Sequence, residues 1–550
     1  MIDKPTSDDS NSPTSDDSNN EDKRDDESIK PGSEEEGLKS VQSLFNAEGK
    51  KTEDSSLGED KEFLKYLKFR KKAKDLGLDD PLFTTIYQGG IHITDSNVEN
   101  HGTIVGNDQT VHSSTNTGGF SGEVTDKSSD NKESIESVES VFDRCEDIKQ
   151  RSFMIALAAL NGCNYRIVVE ASQQLQSILQ SQSEVETEIT SSSLSPLLTE
   201  KKRSQWLEEI FAYLAESDEV TEYGKSRIKI VLFRDQESPL SVLSHIWHEY
   251  DTYAESTLQW LRQLGEHPNF QVRLRVAAVA GQLAIYEFRP VREKILSPWA
   301  KSDKQTIQRL ATLALTVVAY DENEEIAQQA LNLLHHWSGL QNSPRLHWTA
   351  IAAYGGYIGL LFPQQALDNL KIITQSGDGR LFSDIAQAVV SLFHFGQQVF
   401  SLHLLVLTAL KKWVGQDQKM FIHQLSLVIF WGLMRQSWLV NNNIYQPTLL
   451  KLAKQNQDLE DLIVFFVRNS LNLELTRDLI LSEILGWLKF VDQEQAFYKT
   501  LARIVFTLAI PGKEHERICN YLNRWSKNSE TAIRILNLIN QHSLNRRQIC

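Results

Sequence analysis

The chain has 550 residues, 40% apolar and 24% charged, with a net charge of −16, a composition that predicts a globular protein of about three to four domains at roughly 150 residues each. The acidic balance argues against nucleic-acid or anionic-lipid binding by the surface as a whole. The four cysteines, Cys145, Cys163, Cys519 and Cys550, form no C-x-x-C pair, which excludes a disulfide scaffold or cysteine zinc cluster and points to a reducing compartment.

The opening MIDKPTSDDS is acidic and lacks an apolar core, so no secretory signal is expected. No apolar run reaches the ~18 residues that a membrane helix needs. The longest, FIHQLSLVIFWGLM at 421–434, is interrupted by His423 and Gln424. A cytoplasmic protein is expected. Residues 1–60 carry 18 acidic and 7 basic side chains. With little apolar surface to offset ordering entropy, they read as a disordered acidic tail. Residues 61–80 read as a basic amphipathic helix. Its KEFLKYLKFRKKAK stretch sets seven cations against one anion, among Phe63, Leu64, Tyr66, Leu67 and Phe69. Such a helix suits lipid or nucleic acid, and equally suits packing on the acidic tail or a plain surface position.

Residues 83–112 change character. Val, Ile and Thr alternate with Asn, Asp, Gly and Gln, and neither Leu nor Lys occurs between Thr84 and His112. The pieces are short strand-formers separated by turn-formers. Ile91, Ile93 and Val111 fit the rungs of a stack better than a thick core, and Asn and Gln can form ladders between copies. This segment resembles the amyloid-signalling motifs (HET-s-like and RHIM-like) of bacterial and fungal immune-type proteins. The matching residues are Ile86, Gln88 and Gly89, then Ile104, Val105, Gly106, Asn107 and Gln109. The resemblance implies a self-assembly motif and a homo-oligomer through residues 83–112. An ordered hairpin or an inert stretch is the plainer alternative. Residues 113–138 are rich in Ser, Gly, Thr and Asn and read as a flexible linker.

From residue 139 the apolar period becomes helical. Helices are expected at 147–162, stopped by Asn161-Gly162, at 165–180 and at 201–217. SRIKIVLFRD (226–235) alternates as a strand does. Three helices and a strand outline a winged-helix-like module over 139–235. Its second helix offers Arg166, opposed by Glu170, with Gln173, Gln174 and Gln176. That is little for a groove-reading helix, so a packing module is favoured and a DNA-binding regulator is the alternative.

Residues 236–550 read as helix after helix. Arg273-Leu274, Arg309-Leu310 and Arg345-Leu346 recur at steps of 36, as do Ala278, Ala314 and Ala350. Each arginine marks a repeat start, followed by a small-residue-rich helix and then a second helix. A single pair cannot cover its apolar face, so pairs must stack. The expected fold class is therefore mainly α, a winged-helix-like module followed by a HEAT-like α-solenoid, with a disordered acidic N-terminus and a short β-prone segment.

The order of segments resembles uncharacterised cyanobacterial and actinobacterial signalling proteins of the STAND or NLR-like kind. The carriers are TIVGNDQTV (103–111), QRSFMIALAALNG (150–162), IWHEYD (246–251) and the repeats. The resemblance implies an N-terminal assembly segment, an NTPase, a winged helix and a repeat sensor. No G-x-x-x-x-G-K-[ST] occurs, however. Gly224-Lys225-Ser226 has Glu219 where the leading glycine belongs, so an ATP-driven switch is not expected.

Other chemistry is equally sparse. His245-x-x-His248-Glu249 is not H-E-x-x-H, the adjacent His335 and His336 face apart on a helix, and no G-x-S-x-G occurs. Cys145 and Cys163 fit buried structural roles better than nucleophilic ones. Trp247, Trp260, Trp299, Trp337 and Trp348 are expected mostly in the core. The function expected is a non-enzymatic scaffold or sensor in bacterial signalling or defence. Its solenoid binds a protein partner and its N-terminal motif self-assembles, without catalytic residues, cofactor, metal, nucleic acid or membrane. An enzyme with an unrecognised site is the remaining alternative. A peptide spanning 83–112 should form thioflavin-positive fibrils with a ~4.7 Å repeat. Proline at Ile104 or Val105 should abolish them, and a peptide monomeric at millimolar concentration would overturn the assembly motif.

Overall fold

The computed structural model describes residues 33–47, 137–186, 202–221, 224–395, 400–415, 419–441, 444–509 and 514–549. The basic helix of 61–80, the β-prone motif of 83–112 and nearly all of the linker lie outside them. The described residues are mainly helical, with little sheet. They divide into two compact units, one holding 137–295 and the other 33–47 together with 296–549.

The first unit begins with α2 (Val138–Arg144), α3 (Ile148–Ala159) and α4 (Tyr165–Glu186), then α5 (Arg203–Glu209) and the antiparallel strands β1 (Ala212–Thr221) and β2 (Gly224–Phe233). Helices α6 (Ser238–Glu249), α7 (Asp251–Leu264), α8 (Phe270–Tyr286) and α9 (Phe288–Val291) complete it. Asp147 caps α3 by accepting from Lys149 N, and Ser152 to Ala159 are all buried. This helix is the centre of the unit, touching α4, α6, α8 and β2. It ends just before Asn161-Gly162, as expected. Asn161 Oδ1 there accepts from Phe233 N at 3.0 Å, and Gly162 N donates to Val231 O at 2.8 Å. Trp260 is fully buried and donates from Nε1 to Ala171 O at 2.9 Å, tying α7 to α4.

One expected helix is shorter than its sequence suggests. The segment 201–217 is helical only over α5. Phe211 takes φ 55°, a left-handed turn that a helix cannot continue through, and its carbonyl accepts from Arg234 N at 2.7 Å. Beyond it, β1 pairs along its whole length with β2, Ala212 opposite Phe233 through Thr221 opposite Gly224. The Ala, Leu and Glu content of AYLAES favours helix, but pairing with the β-branched strand IKIVLF prevails.

The second unit contains the helical array. After a π turn over Arg292–Leu296, in which the two units divide, come α10 (Ser297–Ala300), α11 (Gln305–Ala319), α12 (Glu324–Gly339), α13 (Pro344–Tyr354), α14 (Tyr357–Leu361) and α15 (Pro363–Thr374). A 3-10 turn at Gly379–Leu381 leads into α16 (Phe382–Phe395), α17 (Phe400–Trp413) and α18 (Met420–Met434). A short hairpin, β3 (Ser437–Asn441) with β4 (Ile444–Pro447), precedes α19 (Thr448–Gln455), α20 (Gln457–Asn472) and α21 (Glu474–Gln493). Then follow α22 (Tyr498–Ala509), α23 (Glu514–Trp525) and α24 (Glu530–Ile549).

Contacts sort most of these helices into two rows. In the first, α11, α13, α16, α18, α21 and α24 each touch the next. In the second, α12, α15, α17, α20 and α22 do so. Polar ties cross the steps of each row. Gln308 Nε2 on α11 donates to Arg345 O on α13 at 3.1 Å, and Trp348 Nε1 on α13 donates to Asp384 Oδ1 on α16 at 3.2 Å. In the second row His335 Nδ1 donates to Asn369 Oδ1 at 2.7 Å, and Arg503 Nη2 donates to the buried Glu460 at 2.5 Å. A buried carboxylate of this kind is tolerated only while its partner charge is present.

The hairpin β3–β4 interrupts what reads as continuous helix. In the sequence, Asn441-Asn442-Asn443 stands between β-prone SWLV and IYQP, a composition that breaks helices and favours turns.

His403 on α17 is 2% exposed, with its ring edge-on to Phe393 at 4.5 Å between centroids. Burial, aided by the neighbouring His394, pushes its pKa down from 6.5 to about 4 despite the Phe393 backbone. The unfolded chain therefore takes up a proton between about pH 6.5 and 4 that the folded chain refuses. Stability should fall as pH drops through that window, by at most ~1.4 kcal/mol per pH unit from this group. His403→Leu should flatten that part of the profile, which thermal melts from pH 7 to 4.5 would check.

Candidate functional site

Residues 34–47 lie within the segment read as a disordered tail, yet they form α1 (Glu34–Ala47). The sequence contains the reason. Ser33 and Glu36 make an S-x-x-E start signal, and Ser33 Oγ accepts from Glu36 N at 3.2 Å. Glu34, Glu35 and Glu36 occupy the first turn, where the helix dipole favours negative charge. Lys39 pairs with Glu35 one turn away at 2.6 Å; that hydrogen bond lowers the Glu35 pKa and raises that of Lys39. Leu38, Val41 and Phe45 then fall on one face and are 5%, 0% and 1% exposed. Averaging over a 60-residue acidic segment hides this fourteen-residue stripe.

That face lies on the first row of the array, against α16, α18 and the 3-10 turn. The seat is shaped closely. A Cβ on Gly37 would stand 2.3 Å from Gly379 O, and one on Gly379 would stand 1.9 Å from Ser33 O. The two backbones can touch only because neither residue has a side chain. Asp378, 7% exposed, holds this turn by accepting from Arg380 N at 3.1 Å and taking both Nε and Nη2 of Arg380. At the other end the Phe45 ring meets Trp431 edge-on at 5.9 Å, and it lies so close to Gly432 that a Cβ there would fall 2.5 Å from it.

Polar contacts fix the register. Ser40 and Ser383 hydroxyls are 2.6 Å apart, and Gln42 Nε2 donates to Leu475 O on α21 at 3.1 Å. Arg435 donates from Nη1 to the Phe45 carbonyl near the C-terminal end of α1, with its guanidinium 5.4 Å over Trp431. A cation at this position complements the helix dipole. Beside it, burial raises the Glu483 pKa, opposed by Arg435 and Trp431. Burying three such side chains contributes about 1.5–3 kcal/mol each.

A second polar cluster lies in the other unit. His245 Nε2 donates to Asp143 Oδ1 at 2.6 Å, and Tyr250 OH donates to the same oxygen at 2.7 Å. Burial would raise the Asp143 pKa, but these hydrogen bonds and the nearby Arg151 hold it below the ordinary value. The Arg151 guanidinium sits 5.3 to 5.8 Å from the ring centres of Phe142, Tyr250 and Tyr253. The cluster fastens α2 to α6 and α7. His245 and His248 take separate partners, the latter bonding Ser244 O at 2.7 Å. Among the described residues no group of three His, Cys, Asp or Glu is arranged to hold a metal ion.

Arg273, Arg309 and Arg345, read as repeat starts, lie near the beginnings of α8, α11 and α13 but differ in role. Arg273 donates to the carbonyls of His267 and Pro268 at 2.9 and 2.8 Å. Arg309 lies 6.0 Å over the Trp348 ring, and Arg345 pairs with Asp303. They clamp helix starts and do not converge on one ligand. Trp260, Trp299 and Trp337 are buried; Trp247 and Trp348 are half-buried. Cys145 and Cys163 are buried, and burial raises the Cys163 pKa. No protein-family model matches the chain, and no curated protein matches it.

Phe45→Ala leaves a cavity beside Trp431 and Gly432, costing about 3–5 kcal/mol of packing. The variant should show rapid amide exchange over 33–47 and increased binding of a hydrophobic dye, with exchange in 137–295 unchanged.

Proposed function

We propose that this chain is a non-enzymatic interaction scaffold whose helical array is a receptor for amphipathic protein helices, coupled to self-assembly through residues 83–112. The observation that carries the reading is α1 itself. A helix from outside the order of the rows lies across the first row, with its own anchor residue, backbone cradle and C-terminal cation. The two rows support a HEAT-like solenoid, since each helix pair buries its apolar faces against the next pair. Helices α3, α4 and α5 followed by a hairpin, with Asn164 bridging Ile230, support a winged-helix-like module in the other unit. The hairpin opposes Glu216 to Lys229 and Asp218 to Arg227. It therefore offers no uniformly cationic face for phosphates, and the packing role is preferred to DNA binding. The order of segments keeps the resemblance to STAND-like signalling proteins as the reading of its context, with partner capture on the array in place of a nucleotide switch.

The receptor reading predicts binding in trans. A labelled peptide of residues 33–47 should bind a full-length Val41→Asp/Phe45→Ala chain, whose own α1 is disabled, with Kd of about 1–100 µM. Gly432→Leu added to that chain should abolish binding. Fluorescence anisotropy would check this, and no binding to the first variant would sink the receptor reading.

A further inference from the structure

The side of α18 beneath α1 cannot stand open. From Phe421 to Met434 this helix is buried all round, with only His423 and Gln424 half-exposed. A helix with no polar face must be covered on every side. Neighbours in the two rows cover most of it, and α1 covers the flank that includes Trp431 and Gly432. Removal of α1 without replacement would expose an apolar strip in the middle of the array. Any change in the occupancy of this groove is therefore an exchange of one helix for another.

We infer that α1 is an exchangeable arm, and that its alternative seat is the same groove on a second copy of this chain. The inference rests on the receptor reading above and names the partner. Three features select a second copy. The first is fit: the Gly37–Gly379 approach, the Phe45 site on Gly432 and the Ser40–Ser383 contact are matched to this helix. A copy's α1 reproduces each of them. The second is connectivity. Residues 48–137 separate α1 from α2, and a connector of that length can reach up to roughly 300 Å, so the chain does not confine the arm to its own groove. The third is location. The segment expected to gather copies, 83–112, lies within that connector, so gathered chains bring arms and grooves together. An arm that changes grooves loses no contact. It gives up only the effective concentration that a tether provides, which crowded copies restore.

The Ser40–Ser383 contact, 2.6 Å between hydroxyls, gives the test. In full-length Ser40→Cys/Ser383→Cys, mild oxidation at low protein concentration should close a bridge within one chain. Differently tagged full-length Ser40→Cys and Ser383→Cys chains, mixed and oxidised, should form a covalent pair of two 62.6 kDa chains. Peptide mapping should place the bridge at 40–383. The yield should rise with total concentration, and Phe45→Ala in the Ser40→Cys chain should remove the pair. An internally closed double variant, with no mixed 40–383 bridge up to about 100 µM, overturns the exchange while leaving the receptor reading intact. A double variant that closes no 40–383 bridge, within or between chains, overturns both.

Discussion

The second unit is organised around a helix that has no polar side. Fourteen consecutive residues of α18, Phe421 to Met434, include twelve that are buried, so its environment must be apolar in every direction. Too short to cross a bilayer, such a helix has to lie at the centre of a stack. Helices α16 and α21 flank it within the first row, α17 and α20 meet it from the second, and α1 takes the remaining flank. Leaving that flank bare would cost several kcal/mol by the ordinary coefficient for buried apolar area. That is a sizeable part of the 5–15 kcal/mol by which a folded domain exceeds its unfolded chain. The N-terminal helix is therefore a structural requirement of the array as well as its ligand-like occupant.

The rows themselves use a division of labour between apolar and polar groups. Alanines such as Ala311, Ala314, Ala350 and Ala386 are fully buried, letting successive first-row helices approach closely. Directional bonds then fix their offset. Gln308 to Arg345, Trp348 to Asp384, His335 to Asn369 and Arg503 to Glu460 each join neighbours in one row. Apolar contact alone would allow a helix to slide by a turn at little cost; a hydrogen bond left unmade in the interior would not.

Much of this was legible in the sequence. The 3.6-residue period exposes the helices, and Arg273, Arg309 and Arg345 each fall in the first turns of a helix, although each arginine turns to a different local partner. Less legible were features that depend on a distant surface. Phe211 adopts a left-handed conformation because β2 waits to pair with the residues after it, and nothing in IFAYLAES signals that partner. The SWLVNNNIYQP hairpin was readable from its asparagines, but the helices on either side mask so short an interruption. The stripe of Leu38, Val41 and Phe45 carries a clear start signal in Ser33 and Glu36. Its weakness is context, because in an acidic segment three apolar residues become a helix only when a groove exists to receive them. The motif of 83–112 lies outside the described residues, and its reading still stands on sequence alone.

The glycines of the α1 seat have an evolutionary corollary. Gly37 is held to a hydrogen side chain by the backbone of Gly379, Gly379 by the carbonyl of Ser33, and Gly432 by the ring of Phe45. None of these restrictions arises from the repeat. A lineage that lost the arm would shed all three at once, and drift at Gly379 and Gly432 would then close the groove to any later helix. The path back would require several simultaneous reversions.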